Sequence, residues 1–152
     1  MGTGVSVNIT RFAVGDQEWA DALVLRRAVL RTPLGLDYST ADMVAESGDT
    51  LFAAYEGERL VGVVMLRPDW TDSVKLRQMA VSEDMRGQRV GEQLLAAFEA
   101  HARELGVHHV GLAARKTAIG FYERLGYAVD GDEFIEVTIP HRHMSKTLSL
   151  TS

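Results

Sequence analysis

The chain has 152 residues, 46% hydrophobic and 24% charged, with a formal net charge of −5 and no cysteine. That length suits one domain with a substantial core, read as residues 1–152, and the acidic balance argues against a general nucleic-acid binder. Disulfides, thiolate metal sites and a cysteine nucleophile are excluded. No apolar run approaches the roughly 20 residues that span a bilayer, and Met1 to Thr10 lacks the basic and apolar sequence of a signal peptide. The expectation is a cytoplasmic protein with neither membrane nor nucleic acid as partner.

Val5 to Arg11 alternates Val5, Val7 and Ile9 against Ser6, Asn8 and Thr10, the period of a strand. Asp16 is a candidate N-cap for a helix in which Trp19, Ala22, Leu23, Val29 and Leu30 fall near one face. Arg26, Arg27 and Arg31 lie beside or opposite that face and read as solvated. Thr32-Pro-Leu-Gly-Leu-Asp37 breaks the helix, and Ser39 or Thr40 can cap a short one before Ser47. Thr50 to Tyr55 and Leu60 to Leu66 make an antiparallel hairpin about Glu56–Arg59, and Val74 to Val81 continues the meander.

Val90, Leu94, Leu95, Phe98, Ala102 and Leu105 then recur at helical spacing, with Gly106 placed as a C-terminal stop. Next come a strand from Val107 to Ala113, a short helix from Thr117 to Leu125 stopped by Gly126, and a strand starting at Tyr127. A turn is expected at Asp130-Gly-Asp132, and a strand bent or edged by Pro140 from Phe134 to Leu148. The implied sheet is mixed: an antiparallel meander, then a crossover helix leading to a parallel neighbour. A dinucleotide-binding Rossmann domain does not fit, because the meander precedes the glycine turn and no Gly-x-Gly-x-x-Gly follows a first strand.

The most informative stretch joins Gln78-Met-Ala-Val81, a polar turn and Arg86-Gly-Gln-Arg-Val-Gly91 at the start of the long helix. First-turn N–H groups lack intrahelical partners and sit at the positive end of the helix dipole, so this junction reads as an anion site.

Arg86-Gly87-Gln88-Arg89-Val90-Gly91 resembles the Gln/Arg-x-x-Gly-x-Gly/Ala signature of the GCN5-related N-acetyltransferase (GNAT) superfamily, with Arg89 where glycine is usual. At that position arginine is sterically possible if φ stays negative and only its N–H faces the phosphate. Ala118-Ile-Gly-Phe-Tyr-Glu-Arg-Leu-Gly-Tyr127 is similar to the superfamily's Ala-x-x-Phe-Tyr-x-x-x-Gly-Phe, with Arg115 where the family often has Asn. Glu136-Val-Thr-Ile-Pro-His-Arg-His-Met144 resembles a segment of the ElaA-like subgroup. The resemblance covers roughly residues 5–148 and implies the GNAT fold: α/β (α+β), about 6–7 strands in a mixed sheet, and about four helices.

The resemblance further implies acetyl-coenzyme A as co-substrate and an amine as acceptor, joined by direct attack on the thioester. Main-chain N–H groups of Gln88, Arg89, Val90 and Gly91, with Glu92, hold the pyrophosphate in that reading, Gly87 lying in the turn; the Arg86 and Arg89 side chains add charge-assisted contacts. Met79 and Val81 pair with the pantetheine arm, an N–H at Ala80 or Val81 polarises the thioester carbonyl, and Phe121 lies beside the cofactor. Tyr122 is the expected acid for the departing thiolate. An alkylammonium of pKa about 10.4 is only about one part in a thousand free base at pH 7. A base is therefore useful, and Glu136, His141, His143 and Glu83 are all candidates.

His141-x-His143 has the form of a metal pair, but without further ligands no metal is expected. Asp37, Asp69, Asp72, Glu133 and Glu136 are available to attract a cationic amine, whose identity the sequence leaves open. A bent late strand at a sheet edge makes a homodimer an expectation. The alternative to an enzyme is the same fold retained as an acyl-coenzyme A sensor or interaction module.

Overall fold

A computed structural model describes residues 4–13, 15–69 and 72–149. Seven strands form one sheet: β1 (Asn8–Ala13), β2 (Thr50–Glu56), β3 (Arg59–Pro68), β4 (Ser73–Val81), β5 (His109–Arg115), β6 (Ala128–Glu136) and β7 (Ile139–Thr147). Their order is β1-β2-β3-β4-β5-β7-β6, with β4 and β5 the parallel pair. Four α-helices accompany them: α1 (Gln17–Arg26), α2 (Thr40–Ala45), α3 (Val90–Glu104) and α4 (Ile119–Arg124). The expected meander and parallel crossover are therefore present, and α3 is the crossover.

The main core lies between α3 and the sheet. Leu94, Leu95, Phe98 and Ala102 are buried against Phe52, Val64, Leu76 and Leu112. Leu105, counted in the apolar series, is instead the C-cap and exposed, while Gly106 at φ 76° ends the helix as expected. Gly62 on β3 sets the helix height: a Cβ there would meet Leu94 Cδ1 and Val90 Cγ1 at 2.9 Å. Burying a side chain such as Phe98 contributes about 2–3 kcal/mol.

The sheet's other face carries a smaller cluster of Trp19, Ala22 and Leu30 against Leu51, Val63, Met65 and Ala80. Here the structure corrects the expected solvated face of α1. Arg26 is fully buried, and its guanidinium grips the Glu46 carboxylate with both terminal nitrogens. Asp49 is also buried and receives two 2.9 Å hydrogen bonds from Arg67. Asp16 stands at the N-cap of α1, but its carboxylate accepts from the Ala13 N–H, not from the helix. Ser39 caps α2 with a complete capping box to Asp42.

Two strand expectations shift. Residues 5–7 precede β1 and dock on the Gln93 side chain, which donates to Val5 O (2.7 Å) and accepts from the Val7 N–H (3.4 Å). The expected turn at Asp130–Asp132 is a bulge inside β6, and the chain reverses at Val137-Thr138. Both turn residues have positive φ, 43° and 71°, in a two-residue loop between Glu136 and Ile139. That twist matches a hairpin, yet glycine or asparagine, the usual sequence sign, is absent.

Removing one partner of a buried ion pair leaves an uncompensated charge and costs about 3–5 kcal/mol, whereas an apolar pair of similar volume is tolerated. Glu46→Ala is therefore expected to lower unfolding stability by about 3–5 kcal/mol, and Arg26→Met with Glu46→Leu to recover most of it. Urea denaturation followed by circular dichroism measures both.

Candidate active site

The site is created by a break in strand pairing. β4 and β5 are in register only at Ser73–Lys75 against His109–Gly111. Beyond that they diverge, although β4 runs on to Val81 and β5 to Arg115. The cause lies in β4, where Met65 faces Arg77 but Val63 faces Ala80, so β4 holds an extra residue opposite Val64. Gln78 occupies the bulge at φ 57°. Its side-chain carbonyl accepts from the Tyr38 hydroxyl at 2.6 Å, and the Tyr38 ring lies 4.6 Å and 4.5 Å from the guanidiniums of Arg26 and Arg31.

Divergence opens a cleft of about 290 Å³ through the sheet. Met79, Phe121 and Tyr122 line it on the α3–α4 side. Leu30, Arg31 and Arg77 line it on the α1 side, where residues 27–31 form a π-helical turn. Arg115, Glu136, Val137, His141 and His143 close the end formed by β5 and the β6–β7 hairpin. Of the residues named from sequence, Met79, Phe121, Tyr122, Glu136, His141 and His143 all line this cleft. Glu83 sits in the turn before α3 and does not line the cleft.

Tyr122 is buried on α4, with Phe121 and Tyr127 edge-on at 5.0 Å and 5.8 Å. Its hydroxyl has no hydrogen-bond partner among the described residues. Burial pushes its phenol well above the usual value, so it stays protonated across the physiological range. His141 is buried, stacked on Phe134, and its Nδ1 lies 2.9 Å from Ile139 O. His143 is exposed and its Nδ1 contacts the Asp130 carboxylate.

The loop before α3 supplies the second half of the site. Gly87 has φ 80° and Arg89, the helix N-cap, has φ 63°. The condition of a negative φ is not met at Arg89: arginine adopts the left-handed backbone for which glycine is the usual residue. The Gln88 N–H closes the turn onto Met85 O at 3.3 Å. The N–H groups of Arg89, Val90, Gly91 and Glu92 have no partner among the described residues, which leaves them available to an anion. Arg86 and Arg89 are exposed. Phe121 rests on Gly91, where a Cβ would come within 3.2 Å of its ring. Ala80 and Val81 end β4 just ahead of the loop.

Upstream, the Arg59 guanidinium and the Ser82 hydroxyl hold the Asp84 carboxyl well below its usual value, at about 2.

Residues 34–148 match the acetyltransferase (GNAT) domain family. The chain belongs to the GNAT family. The uncharacterized protein YyaT of Bacillus subtilis (strain 168) is 31% identical over 77 residues, covering 51% of this chain and 52% of YyaT. The chain thus spans about half the length of such curated relatives. A candidate N-acetyltransferase from Lactobacillus plantarum superposes with a TM-score of 0.83 at 24% identity, covering 95% of this chain and 100% of that one. Escherichia coli ElaA does so with a TM-score of 0.77 at 20% identity, covering 93% and 99%. At these identities the two structures speak for the fold alone.

In this GNAT chain the acidic residues expected to attract an amine do not gather at the cleft. Of the acidic residues expected there, only Glu136 lines the cleft. Asp37 pairs with Arg27 at 2.7 Å, Asp72 with His108 at 2.5 Å and Glu133 with Lys116 at 3.6 Å. Asp69 lies at the end of β3, off the cleft. Arg31, Arg77 and Lys75, none of them singled out from sequence, line it instead. No group of three or more His, Cys, Asp or Glu that could hold a metal occurs among the described residues. Among the described residues no helix is long and apolar enough to cross a membrane.

Because the backbone at Arg89 is left-handed, Arg89→Gly is expected to leave stability within about 1 kcal/mol of wild type. Arg89→Val, whose branched side chain tolerates positive φ poorly, is expected to lower it by about 1–2 kcal/mol. Thermal unfolding of the two variants decides the point. The lowered Asp84 value means its pairing is fully present above the ordinary value of 3.8 and is lost as pH falls through about 2. In Arg59→Ala the Asp84 carboxyl returns toward 3.8, read by carboxyl-carbon NMR titration.

Proposed function

We propose that the protein is an N-acetyltransferase that moves an acetyl group from acetyl-coenzyme A to a primary amine by direct attack on the thioester. The observation that carries this reading is the through-sheet cleft itself. It has an unpartnered phenol on one side and a buried histidine near the other, and Phe121, which lines it, rests on Gly91 at the start of α3.

The residues fit the donor. Four adjacent N–H groups, Arg89 to Glu92, are free to hold the pyrophosphate, and Arg86 and Arg89 are free to pair with its oxygens. The diverged edge of β4 offers main-chain partners to an extended pantetheine arm. Ser82 donates its N–H to Val61 O at 2.8 Å. By antiparallel alternation the Ala80 N–H then turns to β3, while those of Val81 and Met79 face the opening. This favours Val81 or Met79 over Ala80 as the donor to the thioester oxygen, a contribution worth about 3–4 kcal/mol of barrier.

Acetyl-coenzyme A supplies an activated acyl carbon and a thiol leaving group. The amine nitrogen forms the new C–N bond, the C–S bond breaks, the amine loses a proton to a base, and the sulfur gains one from an acid. His141 suits the base: with Nδ1–H donated to Ile139 O, the Nε2 lone pair is free for the amine proton. Glu136 and His143 are nearby but exposed. Tyr122 suits the acid. Its weakened acidity is matched only if the thiolate is desolvated too, and the dry α4 side of the cleft meets that condition.

The sensor reading keeps the same donor contacts and lacks transfer. The free Tyr122 hydroxyl, buried at the cleft and bound to nothing, favours the enzyme. Thiol release with a broad amine panel separates the two readings: tight coenzyme A binding with no release for any amine speaks for the sensor.

Tyr122→Phe is expected to lower kcat by roughly 100-fold or more, with coenzyme A affinity within about threefold of wild type by calorimetry. A turnover near wild type would leave Tyr122 as a packing residue only.

A further inference from the structure

The chain carries an excess of five negative charges, yet the acceptor side of the cleft is cationic. Lys75, Arg31, Arg77 and Arg115 line it, against Glu136 as its one carboxylate. None of the four cations has an ion-pair partner among the described residues. Arg115 donates to Leu30 O at 2.7 Å, Arg31 donates to the same carbonyl at 3.2 Å, and both contacts bring the guanidiniums to one wall without neutralising them. The Arg77 Nε is buried with no hydrogen-bond partner at all.

Of the neighbouring acids, exposed Asp42 acts on Arg31 and Arg77 from the capping box of α2, and Glu136 acts on Arg77 from the cleft, neither as an ion pair. Glu46 and Asp49 act on Arg77 only at a distance, because Arg26 and Arg67 already hold them. Desolvation, and then the repulsion of Arg67 on Arg77 and of Arg31 on Arg115, pushes both guanidiniums below their usual values. Converging, partly buried, unpaired arginines are unfavourable in an empty site and favourable around an anion.

That anion is not the donor's pyrophosphate. Arg77 lies four residues before Val81 on β4, about 13 Å along an extended strand from the loop. Lys75 and Arg77 also point to the α1 face, while Leu76 packs under α3. Arg115 stands where the resemblance expects Asn, so this charge is a departure of the chain itself.

We infer that the amine acceptor also carries a carboxylate, held by Arg31, Arg77 and Arg115 while Glu136 faces its ammonium end. This rests on the acetyl-transfer reading and names the acceptor class for it: an amino acid or a similar amino-carboxylate.

The test is thiol release from acetyl-coenzyme A with lysine, methionine, phenylalanine and β-alanine, each beside its carboxamide. For at least one pair the acid is expected to exceed the amide in kcat/KM by roughly 10- to 100-fold, the worth of a charge-assisted hydrogen bond. Arg77→Gln and Arg31→Gln, each checked for native circular dichroism, then bring the ratio of acid to amide toward one. Amides equal to or faster than acids in every pair overturn the inference. So does a result in which the arginine variants abolish a preference for succinyl- over acetyl-coenzyme A, with acid and amide acceptors equal; the carboxylate would then belong to the acyl donor. If no amine releases thiol, the acetyl-transfer reading fails by itself. Calorimetry of the coenzyme A-loaded protein with the same acids and amides then judges the inference: acid-selective binding, lost in Arg77→Gln, supports it, and equal or no binding overturns it.

Discussion

The extra residue in β4 governs the functional half of the molecule. A regular β4 would keep pairing with β5 and close the sheet. With Gln78 inserted at positive φ, the strands part after three paired positions and leave main-chain groups of both unsatisfied by each other. The same insertion changes which face alternate residues take. Before it, Leu76 packs under α3 and Arg77 faces α1; after it, Ala80 faces the α1 cluster and Met79 and Val81 pack toward α3. One residue therefore both opens the passage and sorts apolar groups toward α3 from cationic groups toward α1. A left-handed glutamine costs about 1 kcal/mol, and the Tyr38–Gln78 hydrogen bond offsets part of that while pinning the α1–α2 connection over the opening.

That connection is held by charge more than by apolar area. Arg26 is buried against Glu46, Tyr38 stacks between Arg26 and Arg31, and Asp49 with Arg67 braces the start of β2 against the end of β3. Such pairs add little net stability over an apolar substitute, but they are directional. They leave Arg31 and Arg77 without an ion-pair partner among the described residues by occupying Glu46 and Asp49. The unpaired arginines of the cleft are thus a consequence of how the wall is built, not scattered surface charges.

Much of the fold was legible because it depends on periodicity and on local stops: the hairpin of β2 and β3, the apolar face of α3, and Gly106 and Gly126 at helix ends. The misreadings share a cause. Arg26 looked solvated because a helical wheel ranks arginine by type, and its partner Glu46 is 20 residues away. The β6–β7 turn was misplaced because Val137 and Thr138 take a conformation that local propensity assigns to glycine or asparagine. Arg89 takes the left-handed backbone that favours glycine, because the loop geometry holds and the residue conforms. In each instance tertiary context overrode a preference worth about 1 kcal/mol.

The two sides of the cleft differ in legibility for a physical reason. The donor side is made mostly of main-chain groups: the free N–H groups of Arg89 to Glu92 and the open edge of β4. Main-chain geometry requires small or turn-compatible residues at set spacing, so it leaves a contiguous signature such as Arg86–Gly91. The acceptor side is made of side chains from the π-helical turn, β4, β5 and the β6–β7 hairpin, separated by up to about a hundred residues. No short pattern can encode it, since each segment obeys only its own strand or helix period. What brings Arg31, Arg77, Arg115 and Glu136 to one wall is the divergence of β4 from β5. The specificity of such a chain is therefore free to change by single substitutions at strand ends, while its donor chemistry stays tied to backbone shape.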